Sequence, residues 1–240
     1  VIPARLASQR LANKPLQSIA GKALIIRVYE NIKILKSKGA EVTVATDSEE
    51  ILSLCQNEAI ACQMTSQEHK SGTDRCLEVA LKSKHPFIMN VQGDEPFLSI
   101  EDLTALAKSL ENNTKAHLAT LCHPKLDKSE LNCPNTVKVI SDERNFALNF
   151  SRIAKNDSLE KTSSLQNKHR KHIGVYAYRR QSLIDFCSFS VAESEARERL
   201  EQLRALENKM NILLVEAQHN SLGIDTLKDL KMAQEIFTKA

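Results

Sequence analysis

Glycine is scarce in this chain. Among 240 residues there are six glycines: Gly21, Gly39, Gly72, Gly93, Gly174 and Gly223. They yield neither the G-x-x-x-x-G-K-[ST] loop of P-loop NTPases nor the G-x-G-x-x-G fingerprint of dinucleotide-binding enzymes, so both classes are disfavoured. If the protein binds phosphates, cationic side chains must do much of the holding, because an Arg fork or a Lys ammonium can replace a glycine-rich backbone cradle.

The chain also has little excess charge and no long apolar run. Its formal net charge is +3, and no Lys/Arg run is interleaved with aromatic residues, so we expect no nucleic-acid partner. No apolar run approaches the roughly 20 residues that span a bilayer, so we expect no membrane insertion. No signal-peptide pattern opens the sequence. Because it begins with Val1 rather than Met, we expect a short piece of the first strand to be missing.

The cysteines form no recognisable motif. They are scattered, without C-x-x-C pairs or the histidine spacing of a metal site: Cys55, Cys62, Cys76, Cys122, Cys133 and Cys187. We expect reduced, mostly buried thiols, and therefore a cytoplasmic protein.

Strand and helix patterns alternate along the chain. The predicted strands are 41–45, 61–64, 86–91, 117–122, 136–140, 173–178 and 212–216. The predicted helices are 22–38 ending at Gly39, one capped by Asp47 or Ser48, 74–82, one beginning at Ser99, a long one ending at Lys209, and a terminal one capped by Asp225 or Thr226. This alternation predicts a doubly wound α/β sheet. We expect a single domain over 1–240 with an excursion at about 120–180, and a mobile loop at 153–171.

The first sixteen residues, VIPARLASQRLANKPL, form a basic segment. Arg5, Arg10 and Lys14 follow one another at intervals of four to five residues, with Ser8 between them. A solvated basic turn is the usual explanation of such a cluster. The alternative is a polyphosphate cradle at the carboxyl end of the first strand, where open α/β sheets bind ligands.

Carboxylates follow two other predicted strands. Asp94 comes after a buried strand and after Gly93, where a hydrated Mg²⁺ could bridge phosphates. Alone, Asp94 and Glu95 would more often be turn carboxylates, and Asp225 would more often cap a helix. The cations at the end of another strand favour the functional interpretation of these acids.

A second group of candidates lies in the later part of the chain. His172 and Tyr176 fall on one face of a strand, and Gly174 between them leaves room for a ligand. Packing is the commoner role for such a pair. Glu201, Gln202 and Arg204 lie on a strongly charged helix, most of whose charges we expect to be solvated.

Seven segments together resemble a known family. They are PARLASQRLANKPL, HKSGTDR, NVQGDEPF, NFSR, KHIGVYAYRR, LEQLRALE and GIDTLKDL, in order and over almost the whole chain. They closely resemble the 3-deoxy-manno-octulosonate cytidylyltransferases, the CMP-Kdo synthetases of Gram-negative bacteria. The resemblance implies a Rossmann-like, glycosyltransferase A-like nucleotidyltransferase fold: α/β, with a mixed, mainly parallel sheet, helices on both faces and a dimerisation excursion.

The same resemblance implies an activity. A homodimeric enzyme would use Mg²⁺ to transfer CMP from CTP to the anomeric hydroxyl of 3-deoxy-D-manno-octulosonate (Kdo), giving CMP-Kdo and pyrophosphate for lipopolysaccharide biosynthesis. No side chain is an obvious general base, so we favour a hydroxyl whose pKa is lowered by the metal.

The resemblance also assigns roles to individual residues. The catalytic residues would be Arg5, Lys14 and Asp94, and the metal ligands Asp94 and Asp225. The triphosphate would contact Arg5, Ser8, Arg10 and Lys14, and the cytidine would contact Ser71, Gly72, Thr73 and Arg75. The sugar acid would contact Gln92, Arg152, His172, Tyr176, Glu201 and Gln202.

Three departures from the family pattern bear on these assignments: Ala12-Asn13 replaces a common Pro-Gly, Ala154-Lys155 replaces Ile-Pro, and Glu193-Ser194 replaces Pro-Leu. The acceptor could also be 8-amino-Kdo or a sialic acid. Two other classes stay open: a catalytically silent nucleotide-sugar-binding protein, and a structural or nucleic-acid-binding domain. The two carboxylates and three loop cations argue against the silent protein.

Overall fold

A computed structural model describes residues 1–6, 11–124, 126, 128–153 and 169–239. The chain divides into two compact units, one made of 1–103 with 221–240 and the other of 104–220. We expected a single domain with an excursion at about 120–180, and that assignment stays a prediction. Most of the loop expected at 153–171 lies outside the described residues.

The first unit is built around a parallel sheet. The strands of this unit are β1 (Ile2–Ala4), β2 (Ser18–Ile19), β3 (Lys22–Ala23), β4 (Val44–Thr46), β5 (Cys62–Met64) and β6 (Phe87–Asn90). The parallel sheet has the order β1-β4-β5, and β2 and β3 form a separate antiparallel pair. The helices of the unit are α1 (Leu24–Ile32), α2 (Glu49–Asn57) and α3 (Gly72–Leu81), and α4 (Ile100–Asn112) begins in this unit. Strand β4 pairs in parallel with β1 and β5. Beyond the end of β6, the Val91 N–H donates to Val1 O at 3.0 Å, so this segment runs beside β1.

The second unit contains a mixed sheet. Its elements are β7 (Leu118–His123), α5 (Lys128–Leu131), β8 (Lys138–Ser141), β9 (Ala147–Ser151), β10 (Arg170–Arg179), α6 (Arg180–Ser188), α7 (Glu193–Glu198), α8 (Gln202–Glu207) and β11 (Ile212–Glu216). Strands follow the order β11-β7-β10-β8-β9, in which β11 and β7 are parallel and the other neighbours are antiparallel. The chain then returns to the first unit with α9 (Leu227–Lys239). The expected mixed α/β fold is confirmed.

Helix α1 shows how local patterning produces the fold. Leu24, Ile25, Val28 and Ile32 recur at helical spacing, and all are buried, because this spacing puts them on one face. The predicted helix 22–38 is shorter in the structure: β3 precedes it, and residues 33–38 form a 3₁₀ helix that ends at Gly39. Gly39 has φ +86°, a conformation that glycine adopts without strain.

The prediction of one long helix ending at Lys209 is wrong. Three helices, α6, α7 and α8, occupy this part of the chain. The backbone is extended at Phe189 and Ala192, which separates α6 from α7. Arg199 is left-handed, with φ +54°, and ends α7. The charged residues of this stretch favoured one continuous helix, and the breaks before α7 and at Arg199 interrupt it. Strand β9 was also not predicted.

A buried ion pair joins two of these helices. Arg204 donates to both oxygens of Glu195, from Nε at 2.8 Å and from Nη2 at 2.6 Å. The Glu195 carboxylate also accepts the Ala192 N–H at 3.1 Å, and the Arg204 guanidinium lies 4.9 Å from the Phe186 ring centroid. Helices α7 and α8 are therefore fixed to each other by a bidentate contact away from water.

No helix in the described ranges is long and apolar enough to cross a membrane.

We expect Glu195→Gln to lower the free energy of unfolding by about 3–5 kcal/mol, because it removes the negative charge that accepts two hydrogen bonds from the buried Arg204 guanidinium. Urea unfolding followed by circular dichroism measures this change. Arg197→Gln is the matched control: its side chain is 62% exposed, so its effect should stay within about 0.5 kcal/mol. If Glu195→Gln lowers the free energy of unfolding as little as Arg197→Gln does, the Glu195–Arg204 pair does not stabilise the fold.

Candidate active site

Lys14 joins two carboxylates that are far apart in the sequence. Its Nζ donates to Asp94 Oδ2 at 2.5 Å and to Asp225 Oδ1 at 3.0 Å. Burial acts to lower the pKa of Lys14, but the two carboxylates, Asp94 foremost, raise it above its ordinary value. Lys14 is therefore a cation near neutral pH. The three predicted site residues meet within the first unit.

The turn before Lys14 explains how it reaches the acids. Asn13 is left-handed, with φ +48°, and it begins a 3₁₀ turn over Lys14–Leu16 in which the Leu16 N–H donates to Asn13 O at 2.9 Å. Asn tolerates this conformation better than most residues. Asn13, one of the departures noted in the sequence, is therefore suited to this turn.

Gly93 determines where Asp94 lies. A Cβ on Gly93 would come within 2.8 Å of the carbonyl oxygen of Pro3, a distance that no side chain tolerates. The Glu95 N–H donates to Gln92 O at 3.2 Å and closes the turn. The turn therefore packs directly against the end of β1, as the sequence predicted for a glycine that permits close approach.

Asp225 is available to Lys14 because its neighbour caps the terminal helix. Thr226 Oγ1 accepts the Asp229 N–H at 3.3 Å, and Asp229 Oδ2 accepts the Thr226 N–H at 2.7 Å. Thr226 is thus the cap of α9, which decides between the two predicted caps. The Ile224 N–H donates to Asp94 O at 2.8 Å and brings this segment to the Asp94 turn.

The remaining residues of the basic segment are less constrained. Arg5 follows β1 and is exposed. Ser8 and Arg10 lie outside the described residues. Their triphosphate role stays a prediction.

The segment predicted to contact cytidine begins α3. Ser71 and Asp74 form a capping box: Ser71 Oγ accepts the Asp74 N–H, and Asp74 Oδ2 accepts the Ser71 N–H, both at 3.1 Å. A Cβ on Gly72 would lie 3.2 Å from Pro3 Cγ, so the start of this helix also packs against β1.

Asn90 connects two predicted site residues and was missed. Its Nδ2 donates to Thr73 Oγ1 at 3.2 Å, and its Oδ1 accepts from Gln92 Nε2 at 3.1 Å. Asn90 is fully buried. A polar residue inside an apolar predicted strand was the signal that could have identified it. The ligand roles of Thr73 and Gln92 stay predictions.

Arg75 is buried and engaged with the protein. Its Nη2 donates to Asp47 Oδ2 at 2.5 Å, and its Nη1 contacts Thr65 Oγ1. The guanidinium therefore fixes the start of α3 to the segments after β4 and β5. The predicted contact of Arg75 with cytidine is not tested by this arrangement and stays a prediction.

His172 and Tyr176 meet in the second unit. Their ring centroids are 5.5 Å apart, and an irregularity between Ile173 and Tyr176 interrupts the pairing of β10 with β7. A Cβ on Gly174 would meet no described heavy atom within 4 Å, and the room for a ligand predicted there stays a prediction.

The hydrogen bonds of Thr120 define the state of His172. Thr120 Oγ1 donates to Val175 O at 2.8 Å and lies 3.0 Å from His172 Nε2. Since the hydroxyl proton goes to the carbonyl, we assign the Nε2 proton to His172 and leave its Nδ1 as an acceptor. Burial lowers the pKa of His172 to about 3 and, with Glu201, raises that of Tyr176. Both groups are neutral near pH 7.

Arg152 binds main-chain carbonyls. Its Nε donates to Glu198 O at 2.8 Å and its Nη2 to Arg199 O at 3.1 Å, at the end of α7 where a cation is favourable. Arg152 O in turn accepts from Lys138 Nζ at 2.6 Å. Its predicted contact with the sugar acid stays a prediction.

Lys138 was also missed by sequence reasoning. It is fully buried, and its Nζ also donates to Cys133 O at 2.7 Å and Thr136 O at 2.8 Å. Burial lowers its pKa. A lysine among apolar neighbours in a predicted strand was the available signal.

Glu201 and Gln202 lie at the start of α8. Gln202 is buried, and its Nε2 has no hydrogen-bond partner among the described residues. Glu201 Oε1 is 3.8 Å from Arg204 Nη2. A buried amide donor without a protein partner is expected to be satisfied by water or a ligand, which is compatible with the predicted role of Gln202.

The donor chemistry of the first unit fits a magnesium ion. Within the described part of the chain, no group of three or more His, Cys, Asp or Glu residues could hold a metal. Mg²⁺ is commonly bound by one or two carboxylates together with substrate phosphates. Asp94 and Asp225 converge on one nitrogen and are therefore close enough to share a cation.

We expect acid to destabilise the protein partly through His172. Its pKa is about 3 in the folded protein and 6.5 ordinarily, so between these values the unfolded chain binds more protons and stability falls as the pH falls. His172→Gln should reduce this slope by up to about 1.4 kcal/mol per pH unit between roughly pH 4 and 6. Urea unfolding at several pH values measures it. The control is His219→Gln, because His219 is exposed. If the free energy of unfolding changes with pH equally in both variants, His172 is not the source of the acid sensitivity.

Comparisons with known proteins agree with this architecture. The family model described as Cytidylyltransferase matches residues 1–212. The 3-deoxy-manno-octulosonate cytidylyltransferase of Francisella tularensis subsp. holarctica is 39% identical over 244 residues, covering 99% of this chain and 97% of that protein. The protein of the same name from Koribacter versatilis is 40% identical over 236 residues, covering 98% and 88%.

A solved structure gives the same result. The structure of CMP:2-keto-3-deoxy-manno-octonic acid synthetase complexed with CTP has a TM-score of 0.88 and 36% identity, and covers 99% of this chain and 97% of that one. The resemblance seen in the sequence segments is confirmed. On this similarity, which extends over nearly the full length of both chains, the chain belongs to the 3-deoxy-manno-octulosonate cytidylyltransferase family of nucleotidyltransferases.

Proposed function

We propose that this protein transfers CMP from CTP to the anomeric hydroxyl of Kdo, releasing pyrophosphate and supplying CMP-Kdo for lipopolysaccharide biosynthesis. The observation that carries the proposal is the cluster in which Lys14 contacts Asp94 and Asp225. It brings together a cation and two carboxylates of the kind that hold Mg²⁺ beside phosphates. Relatives named for this activity and a related structure complexed with CTP support it.

The first unit would bind the nucleotide. Asp94 and Asp225 would hold Mg²⁺, which supplies positive charge to the triphosphate when bound. The Lys14 ammonium offsets negative charge as the Kdo hydroxyl attacks the α-phosphorus and the bond to the β-phosphate breaks. Arg5 would add a second cation beside β1. Both substrates are anions, so these charges assist their approach as well as the reaction.

The second unit would bind the sugar acid through neutral groups. His172 presents Nδ1 as an acceptor, and the buried Gln202 Nε2 is a donor without a partner among the described residues. Space beside Gly174 lies next to the His172–Tyr176 pair. Hydrogen bonds from such groups would select hydroxyls by position, because each requires a matching donor or acceptor.

We infer that the protein is cytoplasmic. None of its six cysteines, all of which the structure describes, forms a disulfide, which is typical of reducing compartments.

The purified protein should release pyrophosphate from CTP and Kdo in the presence of Mg²⁺, as followed in a coupled assay. We expect Asp94→Asn to lower kcat by roughly 10²–10³-fold, the size of effect expected when one electrostatic contact to the transition state is lost. Glu111→Gln, on an exposed position of α4, is the control and should keep full activity.

The acceptor panel includes 8-amino-Kdo and a sialic acid. Strongest turnover with either would refute Kdo as the substrate. Nucleotide binding without turnover of any acceptor would indicate a catalytically silent protein.

We infer in addition that the protein is a homodimer. Apolar side chains are exposed in the second unit: Leu148 on β9 by 49%, Ile153 by 55% and Val191 by 59%. Strand β9 stands at the end of the strand order, and exposed apolar edge strands favour association.

Light scattering after size-exclusion chromatography should give a mass twice the chain's 26.9 kDa. Leu148→Lys should shift the protein towards the monomer, because it places a charge on the edge strand. Leu227→Lys is the control, since Leu227 is 63% exposed but lies in the first unit. A monomeric wild type would refute the dimer.

A further inference from the structure

Two distant loop segments of the first unit are joined next to the carboxylate pair. Ser221 Oγ donates to Glu95 Oε2 at 2.6 Å. Three residues later, the Ile224 N–H donates to Asp94 O at 2.8 Å. The segment that carries Asp225 is thus attached to the turn that carries Asp94 by one side-chain and one main-chain contact.

Gly223 shows how closely this attachment is packed. A Cβ on Gly223 would lie 2.9 Å from Glu95 Oε1 and 3.3 Å from Glu95 Cδ. The Glu95 carboxylate therefore rests against the backbone of the Asp225 segment. Any larger residue at position 223 would displace Glu95 or the segment itself.

Asp225 itself lies in neither helix nor strand, and its N–H donates to Asp229 Oδ2 at the start of α9 at 3.1 Å. Strand β11 ends at Glu216 and α9 begins at Leu227, and the chain between them is in neither helix nor strand. The Asp94 turn, by contrast, is fixed against β1 by the close approach of Gly93 to Pro3. Glu95 adds a side-chain contact between this turn and the loop to the main-chain contact of Ile224 with Asp94 O.

We propose that Glu95 is a positioning residue for the carboxylate pair: by holding Ser221 and packing on Gly223, it sets the place of Asp225 relative to Asp94. Glu95 acts through Asp225 and need not touch the substrate. The inference rests on the proposed function only in that the pair is taken to bind Mg²⁺.

The two kinds of contact made by Glu95 can be separated by substitution. In Glu95→Gln an amide oxygen can still accept the Ser221 hydroxyl, whereas Glu95→Ala removes both the acceptor and the packing on Gly223. A positioning role therefore predicts that Gln preserves metal binding and Ala does not. A role for the Glu95 charge predicts that both variants fail.

The experiment measures Mn²⁺ binding to the whole protein by electron paramagnetic resonance, with CTP present and no sugar acid, beside the Mg²⁺ dependence of pyrophosphate release. We expect Glu95→Ala to weaken Mn²⁺ binding by about 10–100-fold, the usual effect of removing a residue that orients a metal ligand. Glu95→Gln should stay within about threefold of wild type. Glu58→Ala, at an exposed position after α2, should have no effect.

A second comparison keeps the inference testable if Glu95→Ala is poorly folded. Gly223→Ala should weaken Mn²⁺ binding in the wild-type background, because its methyl group displaces Glu95. In the Glu95→Ala background it should add little, because the obstructing carboxylate is gone. Such non-additivity is the signature of two residues in contact.

Three results would overturn the inference: equal impairment of Glu95→Gln and Glu95→Ala, a loss of stability in urea without a change in Mn²⁺ binding, or additive effects of Gly223→Ala and Glu95→Ala. Failure of the proposed function is distinguishable, since it would appear as wild-type protein that binds Mn²⁺ and CTP without turnover of Kdo.

Discussion

The contact of one ammonium with two carboxylates is the constraint on which the first unit depends. Asp94 and Asp225 would repel each other at this separation, and Lys14 offsets that repulsion from 2.5 Å and 3.0 Å. Three loops that are distant in the sequence must therefore meet with side-chain precision. An anionic triphosphate and its cation would bind where positive and negative side chains already contact each other. Little rearrangement of these side chains would then be needed during the reaction.

Scarce glycines mark the places where these loops touch. At Gly93 and Gly223 an added Cβ would come within 3.0 Å of Pro3 O and of the Glu95 carboxylate, respectively. The chain thus uses these two glycines for close approach of protein segments to each other. Under the proposed function phosphate would be contacted by cationic side chains, so the absence of a glycine-rich phosphate loop is compatible with a nucleotide site.

Much of the fold could be predicted because it follows from local patterns. The apolar run before Asp94 and the periodicity of α1 each reflect one element burying one face. The sequence also placed Lys14 and Asp94 at strand ends, but their contact with each other depends on packing that no local pattern encodes. Asn90 and Lys138 were missed for the same reason, since a buried polar residue is stabilised by partners remote in sequence. The breaks among α6, α7 and α8 were not predicted, because an arginine in a charged run gives no sign that its backbone will be left-handed, as that of Arg199 is.

In the second unit, two charged side chains are engaged by main-chain carbonyls. The buried Lys138 ammonium is satisfied by three carbonyls, and one of them belongs to Arg152. Arg152 in turn holds the carbonyls that end α7, immediately before Glu201 and Gln202. The charged side chains of Lys138 and Arg152 thereby hold the backbone, while His172 and Tyr176 stay neutral. Under the proposed function, such neutral groups would discriminate the hydroxyl positions of a sugar acid, because each requires a matching donor or acceptor.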